Sequence, residues 1–366
     1  MKKKTLFALL IAAALLLSGC SSLVMRDSAV DARQVIATVN GKTVNKQEFL
    51  AVYNYNLSQE QYYAQMMAQY GLSDGSVDSA AVLQNTAQSI ISNMVQAQKA
   101  HELGFDQFTD EDKAQLDEDA QTTYAQQLEN VKTAYFADSE PTEEELANRA
   151  ASLGYSLASA RQSAESAMIL DRLEASVKDT VSVTEADLEA ALAQKIEDAK
   201  SRYETSPAAY VTARNGSGTV YYTPAGYRVI GVIEKTQAED AAEGAAQQEI
   251  QALADRVAAG EAFDALGEDV KTYTVYADAA TPDQALVSAA MALTEVGAVT
   301  EPVATANGFA IAQYQEEIAE HTVTLDEVRD ALQTEVLTTA QNDAYTAAVQ
   351  SWTDASQIEL NLDRLN

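Results

Sequence analysis

The side chains most often used in catalysis and metal binding are scarce in this chain. Its 366 residues contain two histidines, His101 and His321, and one cysteine, Cys20. Structural zinc sites, disulfide scaffolds and CxxC redox motifs each need more of these side chains, so the sequence excludes them. Ser-His-Asp chemistry needs a histidine within reach of a GxSxG-type serine, and neither histidine lies beside one. A hydrolase is therefore the function that the sequence supports least, and we expect no metal and no cofactor.

The cysteine has its own context near the N-terminus. Three lysines follow Met1, and residues 6–17 form an uncharged apolar run. The sequence Leu-Ser-Gly-Cys then ends at Cys20. The run is too short to span a bilayer but suits the apolar region of an export signal. Small residues before a lone cysteine resemble a bacterial lipobox. We expect residues 1–19 to be a lipoprotein signal peptide, Cys20 to receive a lipid, and residues 20–34 to form a flexible tether.

The net charge excludes another class of partner. Lys and Arg total 24 while Asp and Glu total 55, which gives a net charge of −31. A chain this acidic is repelled by nucleic acid phosphates, so we expect no nucleic-acid function. No EF-hand pattern is present, and the acidic residues are expected to form the solvated faces of helices.

Helix and strand signals indicate which elements hold these residues. Two β-type runs flank Asn40-Gly41, which predicts a hairpin, and Asn45 three residues before Glu48 predicts a helix start. A second helix is predicted from about residue 80 to the Gly104 C-cap. Four further helix starts are predicted from Thr-x-x-acid sequences, at Thr109, Thr142, Thr184 and Thr324.

From residue 210 onward the pattern changes to that of a small α+β domain. The predicted elements are strands over 210–220 (with a turn at 215–218), 227–233 and 273–276, helices over 239–259 and 286–293, and a hairpin over 303–314. Pairing of the first and last strands gives an α+β fold rather than a doubly wound sheet. One long amphipathic helix is predicted to follow, over residues 325–352.

Several of these segments resemble PrsA/SurA-type extracytoplasmic foldases. Residues 35–49, VIATVNGKTVNKQEF, resemble the opening of that family, and residues 98–111 resemble its next helix–loop–helix. Residues 258–263, AAGEAF, resemble the A-x-x-G-x-x-F element of parvulins. Residues 289–309 resemble the C-terminal half of a parvulin domain.

The resemblance implies an α+β protein with a mainly helical chaperone body, built from N- and C-terminal segments, and an inserted parvulin-like domain with a small antiparallel sheet. The implied domains are the body at 35–208, the parvulin-like domain at 209–317, and a C-terminal helix at 318–366 that packs back on the body. The implied partners are unfolded or newly exported polypeptides, and the membrane through the N-terminal lipid. A homodimer is left open. The implied location is extracytoplasmic, with a lipid anchor in the bacterial cell membrane.

Relative to parvulins, the chain lacks two histidines. The family has a histidine in its first strand, in a pattern like R-x-x-H-I-L, and here Gly231 or a neighbour takes that place. A second family histidine follows the last Gly-aromatic pair, where this chain has Ala310. His101 and His321 match neither position, and we expect both to be ordinary structural or surface residues.

Prolyl isomerisation needs no acid or base. It needs an apolar seat for the proline ring and donors aimed at the rotating carbonyl. The candidates for a remnant pocket of this kind are Leu286, Met291, Phe309 and Ile311, although the same side chains also suit a core. The sequence therefore predicts a membrane-anchored chaperone or foldase with a parvulin-like domain of low or no isomerase activity. An active parvulin-type isomerase and a solute-binding lipoprotein are the alternatives, and the helix-rich first 200 residues argue against the latter.

A cluster of tyrosines and methionines is a candidate peptide cradle. Its members are Tyr62, Tyr63, Met66, Met67 and Tyr70. Adaptable apolar side chains suit unspecific peptide binding. Ordinary helix packing is the alternative use of the same residues.

Overall fold

The computed structural model describes residues 31–137, 139–237, 242 and 244–365. The predicted signal peptide, Cys20 and most of the predicted tether lie outside these residues. The chain divides into two compact units. The first combines the chain up to Ser182 with Thr339–Asn366, and the second is Val183–Thr338.

A three-stranded antiparallel sheet joins the two ends of the first unit. Strands β1 (Val35–Val39) and β2 (Lys42–Asn45) form the predicted hairpin, and both turn residues, Asn40 and Gly41, have positive φ. The third strand, β9 (Ile358–Leu360), comes from the C-terminus, and the sheet order is β2-β1-β9.

Five helices complete the N-terminal part of the first unit, within the described residues. They are α1 (Lys46–Gln69), α2 (Ser79–Glu102), α3 (Asp110–Tyr135), α4 (Glu143–Ser152) and α5 (Leu157–Lys178). The predicted starts at Asn45, Thr109 and Thr142 are confirmed, because each forms a capping box with an acid three residues later. Ser156 and Ser159 form the same motif at the start of α5, which was not predicted from the sequence.

The core of the first unit is shared by both ends of the chain. Phe49 of α1 and Ile36 of β1 are fully buried, next to the C-terminal Leu362 and Leu365. Trp352 packs against a second small cluster that includes Val39. The stretch 31–34, predicted as tether, is hydrogen-bonded to the start of α1, where the Lys46 amide donates to the Gln34 carbonyl over 2.8 Å.

The elements of the second unit are α6 (Glu185–Thr205), α7 (Pro207–Asn215), β3 (Tyr222–Thr223), β4 (Tyr227–Thr236), α8 (Ala245–Ala258), β5 (Lys271–Tyr276), α9 (Gln284–Met291), β6 (Val303–Ala304), β7 (Gly308–Ile318) and β8 (His321–Thr322). Four of its strands form an antiparallel sheet with the order β5-β4-β7-β6. The helix α10 (Leu325–Asp354) begins in this unit, and its residues from Thr339 belong to the first unit. Strands β3 and β8 pair with each other apart from the sheet.

The four-stranded sheet has a buried cluster on each face, because successive side chains of a strand point to opposite sides. One cluster contains Ile230 and Val232 of β4 together with residues of α9. The other contains Ile233 of β4 and Ile311 of β7 together with residues of α8. The fold class is therefore α+β, as predicted.

The predicted strand over residues 210–220 is wrong. The structure has helix α7 up to Asn215, and the following strand β3 begins only at Tyr222. Pro207 occupies the first turn of α7, where its missing N–H costs no hydrogen bond. Tyr210 is 1% exposed and its ring contacts Tyr203 and Tyr227, so tertiary packing selects the helix over the β-type sequence signal.

Other predicted elements of the second unit are confirmed with shifted ends. Helix α8 begins at Ala245, after Gly244, and most of the stretch 239–243 of the predicted helix lies outside the described residues. Thr324 caps α10, and its amide and hydroxyl both donate to Glu327. No helix among the described residues is long and apolar enough to cross a membrane.

The two units divide the chain at different residues from the predicted domains. Leu188 and Leu192 of α6 pack on Val328 and Leu332 of α10. Tyr203 of α6 in turn packs in a cluster with Tyr227 of β4 and Ile318 of β7. Residues 183–208 and 318–338 therefore belong to the unit that contains the four-stranded sheet. The predicted boundaries at 208/209 and 317/318 stay predictions.

Candidate functional site

A groove between α1 and α2 is the first candidate site in the helical unit. Its volume is about 650 Å³. Tyr63 and Met67 of α1 and Val82 of α2 line it with apolar surface, while Glu60 and Asp78 add carboxylates. The groove lies within the range of ligand pockets, which is about 300–1,000 Å³.

Large apolar side chains stand exposed along the C-terminal half of α1 and just beyond it. Tyr62, Tyr63, Tyr70 and Leu72 are 69%, 55%, 73% and 68% exposed. We call these four residues together with the α1–α2 groove the aromatic groove. The cradle predicted from the sequence thus has its three tyrosines on the surface, and its two methionines are half-buried. Exposed aromatic clusters of this kind are typical of interaction sites.

The charged side chains in the segment that forms the aromatic groove are all acidic. Residues 47–98 contain four acids and no lysine, arginine or histidine. The pKa of Asp74 is lowered, because the Ser76 hydroxyl and amide both donate to its carboxylate. Asp78 accepts from the Ala80 and Ala81 amides at the start of α2. A groove lined by Tyr63 together with the carboxylates of Glu60 and Asp78 favours cationic ligands.

A second groove of the helical unit lies between α2, α5 and α10, with a volume of about 810 Å³. Ile91, Leu170 and Val349 line it, and Ile358 of β9 also lies on its wall. Near it, the Tyr345 hydroxyl donates to Gln96 Oε1 over 2.7 Å. Burial raises the pKa of Tyr345 to about 12, since the ionised phenolate is poorly solvated there.

The sheet unit has a much smaller cavity, of about 160 Å³, beside β4, β5 and the start of α9. Its apolar wall includes Val232, Tyr273 and Leu286, and Pro282 precedes the helix. The cavity is smaller than the usual range of ligand pockets.

Most of the charged side chains on the wall of this small cavity are hydrogen-bond acceptors. The wall carries four carboxylates against one lysine, and these residues are Glu234, Asp269, Glu268, Asp283 and Lys271. The Thr305 hydroxyl donates to Glu234, and the Asp283 carboxylate accepts from the Ala285 and Leu286 amides. A rotating carbonyl oxygen needs donors, so this wall is poorly suited to stabilise it.

The structure separates the four residues predicted for a remnant proline pocket. Leu286 is 1% exposed and Met291 is half-buried, and both pack in the cluster beside α9. Ile311 is fully buried and Phe309 half-buried in the cluster on the other face of the sheet. Among the four, only Leu286 lines the small cavity. Their role in substrate binding stays a prediction.

The positions expected to hold the two family histidines also fall on different faces. Gly231 faces the α8 side, where a Cβ would meet the side chains of Gln315 and Val270. Ala310 lies in the cluster on the α9 side, together with Val232. The neighbour of Gly231 that shares a face with Ala310 is therefore Val232. Neither Val232 nor Ala310 can donate or accept through its side chain.

Arg228, the arginine of the first-strand pattern, fixes helix α9. Its guanidinium donates to the carbonyls of Met291 and Leu293 over 2.9 and 2.8 Å, and to Glu317 over 3.0 Å. It also lies 4.2 Å from the centroid of the Tyr314 ring. A cation at a helix C-terminus satisfies carbonyls that have no partner in the helix. Sequence reasoning had assigned no role to this residue.

Both histidines lie on the surface, as expected. His101 contacts Asp106 over 2.6 Å, and His321 contacts Glu327 over 3.0 Å. Their side chains are 76% and 52% exposed. The hydrogen bond from His101 lowers the pKa of Asp106. Neither histidine lines any of the cavities described above.

Family models match two separate parts of the chain. Residues 2–120 match the SurA-like N-terminal domain, and residues 219–330 match the PPIC-type PPIase domain. The chain is a PrsA/SurA-type foldase with a parvulin domain. The second match contains the four-stranded sheet, and the first contains the aromatic groove. No curated protein matches the chain.

Solved structures of the same type cover most of this chain at low identity. A SurA-like chaperone of Campylobacter jejuni is 10% identical over 89% of this chain and 98% of its own, with a TM-score of 0.32. PrsA of Bacillus subtilis is 16% identical over 88% and 91%, with a TM-score of 0.21. The peptidylprolyl isomerase PrsA of Bacillus anthracis is 13% identical over 74% and 96%, with a TM-score of 0.20. The assignment rests on the two family models, because such TM-scores do not establish a shared arrangement.

Proposed function

We propose that this foldase is an extracytoplasmic chaperone, anchored to the cell membrane by a lipid on Cys20, that binds exported polypeptides before they fold. The lipobox-like sequence at Cys20 supports the anchor. The matched SurA-like domain supports the chaperone role. The observation that carries the proposal is the aromatic groove, where Tyr63 lines a cavity of about 650 Å³ and Tyr62 and Tyr70 are exposed nearby in the sequence.

The chemistry of the aromatic groove favours unfolded segments that combine apolar and basic residues. Tyrosine rings supply apolar area and a face for cations, and each ring has few rotatable bonds to immobilise on binding. Glu60, Asp74 and Asp78 supply the opposite charge to lysine and arginine. Binding of this kind weakens as salt concentration rises, since the exposed carboxylates are screened.

The parvulin domain is proposed to have low or no isomerase activity. The small cavity has an acceptor-rich wall, and the two positions for the family histidines carry no ionisable side chain. The barrier to rotation about a peptide bond is about 18–20 kcal/mol, and lowering it requires donors aimed at the rotating carbonyl, whereas carboxylates outnumber lysine four to one on this wall. An active parvulin-type isomerase is the alternative, because the domain itself is matched by a PPIC-type model.

Suppression of client aggregation tests the chaperone role. The full chain is mixed with a chemically unfolded basic client, and light scattering is followed after dilution. We expect suppression by the natural protein and a clear loss in a Tyr62→Ser, Tyr63→Ser, Tyr70→Ser variant. Tyr135→Ser is the matched control, because Tyr135 is also exposed, at 51%, but lies on α3. Equal suppression by all three proteins would refute the aromatic groove as the client site.

A further inference from the structure

Strand β9 forms an open edge of the three-stranded sheet. Among the described residues, the order β2-β1-β9 leaves one side of β9 without a neighbouring strand. Ile358, Glu359 and Leu360 are all exposed, and the two apolar residues are 37% and 41% exposed. Natural edge strands are commonly protected by lysine, proline or a covering element. β9 contains neither residue type.

The register shows which backbone groups of β9 face outward. The Asn361 amide donates to the Ile36 carbonyl over 2.8 Å, and the Asn40 amide donates to the Gln357 carbonyl over 2.9 Å. Backbone groups of alternate residues point to the same side of an antiparallel strand. Glu359, opposite Thr38, therefore also bonds toward β1.

Ile358 and Leu360 consequently direct their N–H and C=O groups away from β1. Among the described residues, no backbone hydrogen bond to these outward groups joins them to another element. The outward groups lie on the same two residues that expose apolar side chains. Two donors and two acceptors at strand spacing match the backbone of one extended segment.

Two further features indicate the composition of that segment. Ile358 also lines the 810 Å³ groove, together with Ile91 and Val349, so an apolar side chain next to Ile358 has a cavity beside it. Glu359 lies between the two apolar residues, on the opposite face of the strand. A lysine or arginine directly opposite Glu359 would form a favourable cross-strand pair.

We propose that the outer edge of β9 is a strand-addition site for an extended client segment with the pattern apolar–basic–apolar. The added strand forms hydrogen bonds with Ile358 and Leu360 and places its basic residue opposite Glu359. This site is separate from the aromatic groove and rests on the proposed function only in taking its ligand from exported polypeptides.

Proline at position 360 tests the outward hydrogen bonds. In the full chain, Leu360→Pro removes an N–H that faces solvent, and proline is tolerated at such edge positions. Leu360→Ala is the matched control, because it shortens the apolar side chain and keeps the N–H. The probe is a labelled acetyl-Val-Lys-Val-Lys-Val-amide peptide, and fluorescence anisotropy measures its Kd. Unchanged circular dichroism and Trp352 fluorescence check that each variant is folded.

We expect Leu360→Pro to weaken peptide binding about five- to tenfold, which is the loss of one hydrogen bond, and Leu360→Ala to weaken it less. Glu359→Gln should abolish the preference for this peptide over acetyl-Val-Glu-Val-Glu-Val-amide. Equal Kd values for the natural protein and Leu360→Pro would overturn the proposal. So would a dimer in sedimentation velocity that Leu360→Pro dissociates while peptide binding is unchanged, since the edge would then pair two copies of this chain.

This experiment separates the strand-addition site from the proposed client function. A Tyr62→Ser, Tyr63→Ser, Tyr70→Ser variant that suppresses no aggregation but binds the peptide normally would support both sites. If Leu360→Pro binds the peptide more weakly but suppresses aggregation normally, the result would support the strand-addition site at β9 as a site separate from the one that suppresses aggregation. Peptide binding absent from the natural protein would overturn the edge proposal and leave the aromatic groove standing.

Discussion

Asp112 links two helices of the helical unit at the level of single side chains. Its carboxylate accepts hydrogen bonds from the amide and hydroxyl of Thr109, the N-cap of α3, and from the guanidinium of Arg172 of α5. These contacts lower its pKa to about 2, with the Arg172 hydrogen bond as the largest cause. The contacts of the folded protein therefore favour the ionised form of the Asp112 carboxylate.

We predict that acid weakens the helical unit partly through Asp112. Because the folded pKa is lowered, this contribution is present above about pH 4 and is lost as pH falls from about 4 toward 2. Arg172→Met should lower the melting temperature at neutral pH and flatten its decline below pH 4. Lys113→Met is the control, since Lys113 pairs only with the fully exposed Asp110. Parallel declines in melting temperature for Arg172→Met and the natural protein would contradict this role.

Leu286 gives a second prediction at this scale, because the structure buries it in the sheet unit. Leu286→Ala should destabilise that unit by about 2–5 kcal/mol, through lost burial and the cavity left behind. Met291→Ala, at a half-buried position, should cost less. The only tryptophan, Trp352, lies in the helical unit. In Leu286→Ala, the urea unfolding transition followed by circular dichroism should therefore shift to lower urea concentration. The transition followed by tryptophan fluorescence should stay at the same urea concentration. A shift in both signals would show that the two units unfold together.

Residue types predicted which side chains lie on the surface better than which apolar side chains share a pocket. The surface positions of His101 and His321 follow from their polar surroundings, and the structure confirms them. The pocket residues Leu286 and Ile311 were chosen because they are apolar, and the same property suits a core. Which face of a sheet each one joins depends on strand register, and a one-residue uncertainty reverses the face. The histidine position at Gly231 carried that same uncertainty.

At the scale of elements, helix starts were the most predictable feature. A capping box is a local arrangement of four residues, so Asn45, Thr109, Thr142 and Thr184 could be recognised without knowledge of the fold. Helix α7 could not be recognised in this way, because its stability depends on the packing of Tyr210 against the rings of Tyr203 and Tyr227 in other elements. The grooves were also unpredictable, since each forms between helices whose spacing only tertiary packing sets.

The packing of α10 on α2 gives a prediction at this scale. Tyr345→Phe leaves the partly buried Gln96 carbonyl without its donor, so we expect a loss of about 1–3 kcal/mol in the stability of the helical unit. The Tyr345 ring lies 6.4 Å from Trp352, so fluorescence reports the change. Tyr70→Phe, at an exposed position, is the control and should have no effect.

The raised pKa of Tyr345 adds a pH dependence to the same contact. Below about pH 10 the tyrosine is protonated in both the folded and unfolded states, and its contribution is intact. That contribution is lost as pH rises from about 10 toward 12, the folded value. Tyr345→Phe should therefore lose stability less steeply over this interval. An identical alkaline profile for both proteins would contradict the burial of this hydroxyl.

At the scale of the whole molecule, the two ends of the described chain close one unit. Strand β9 pairs with β1, and Leu362 and Leu365 pack against the cluster around Phe49. The sheet unit is inserted between these ends in the sequence, as the family resemblance implied. The order of segments was predictable from sequence motifs. The residues at which the chain divides into two units were not predictable, because α6 and the first part of α10 pack on each other through side chains far apart in the chain.

We propose that this foldase acts by binding clients and not by isomerising prolines. The most direct test measures both activities of the same full-length preparation: exchange of a proline tetrapeptide and suppression of aggregation of a basic client. We expect strong suppression that decreases with salt, and an exchange rate no higher than that without protein. Rapid exchange that Leu286→Ala abolishes while suppression stays normal would contradict the proposal.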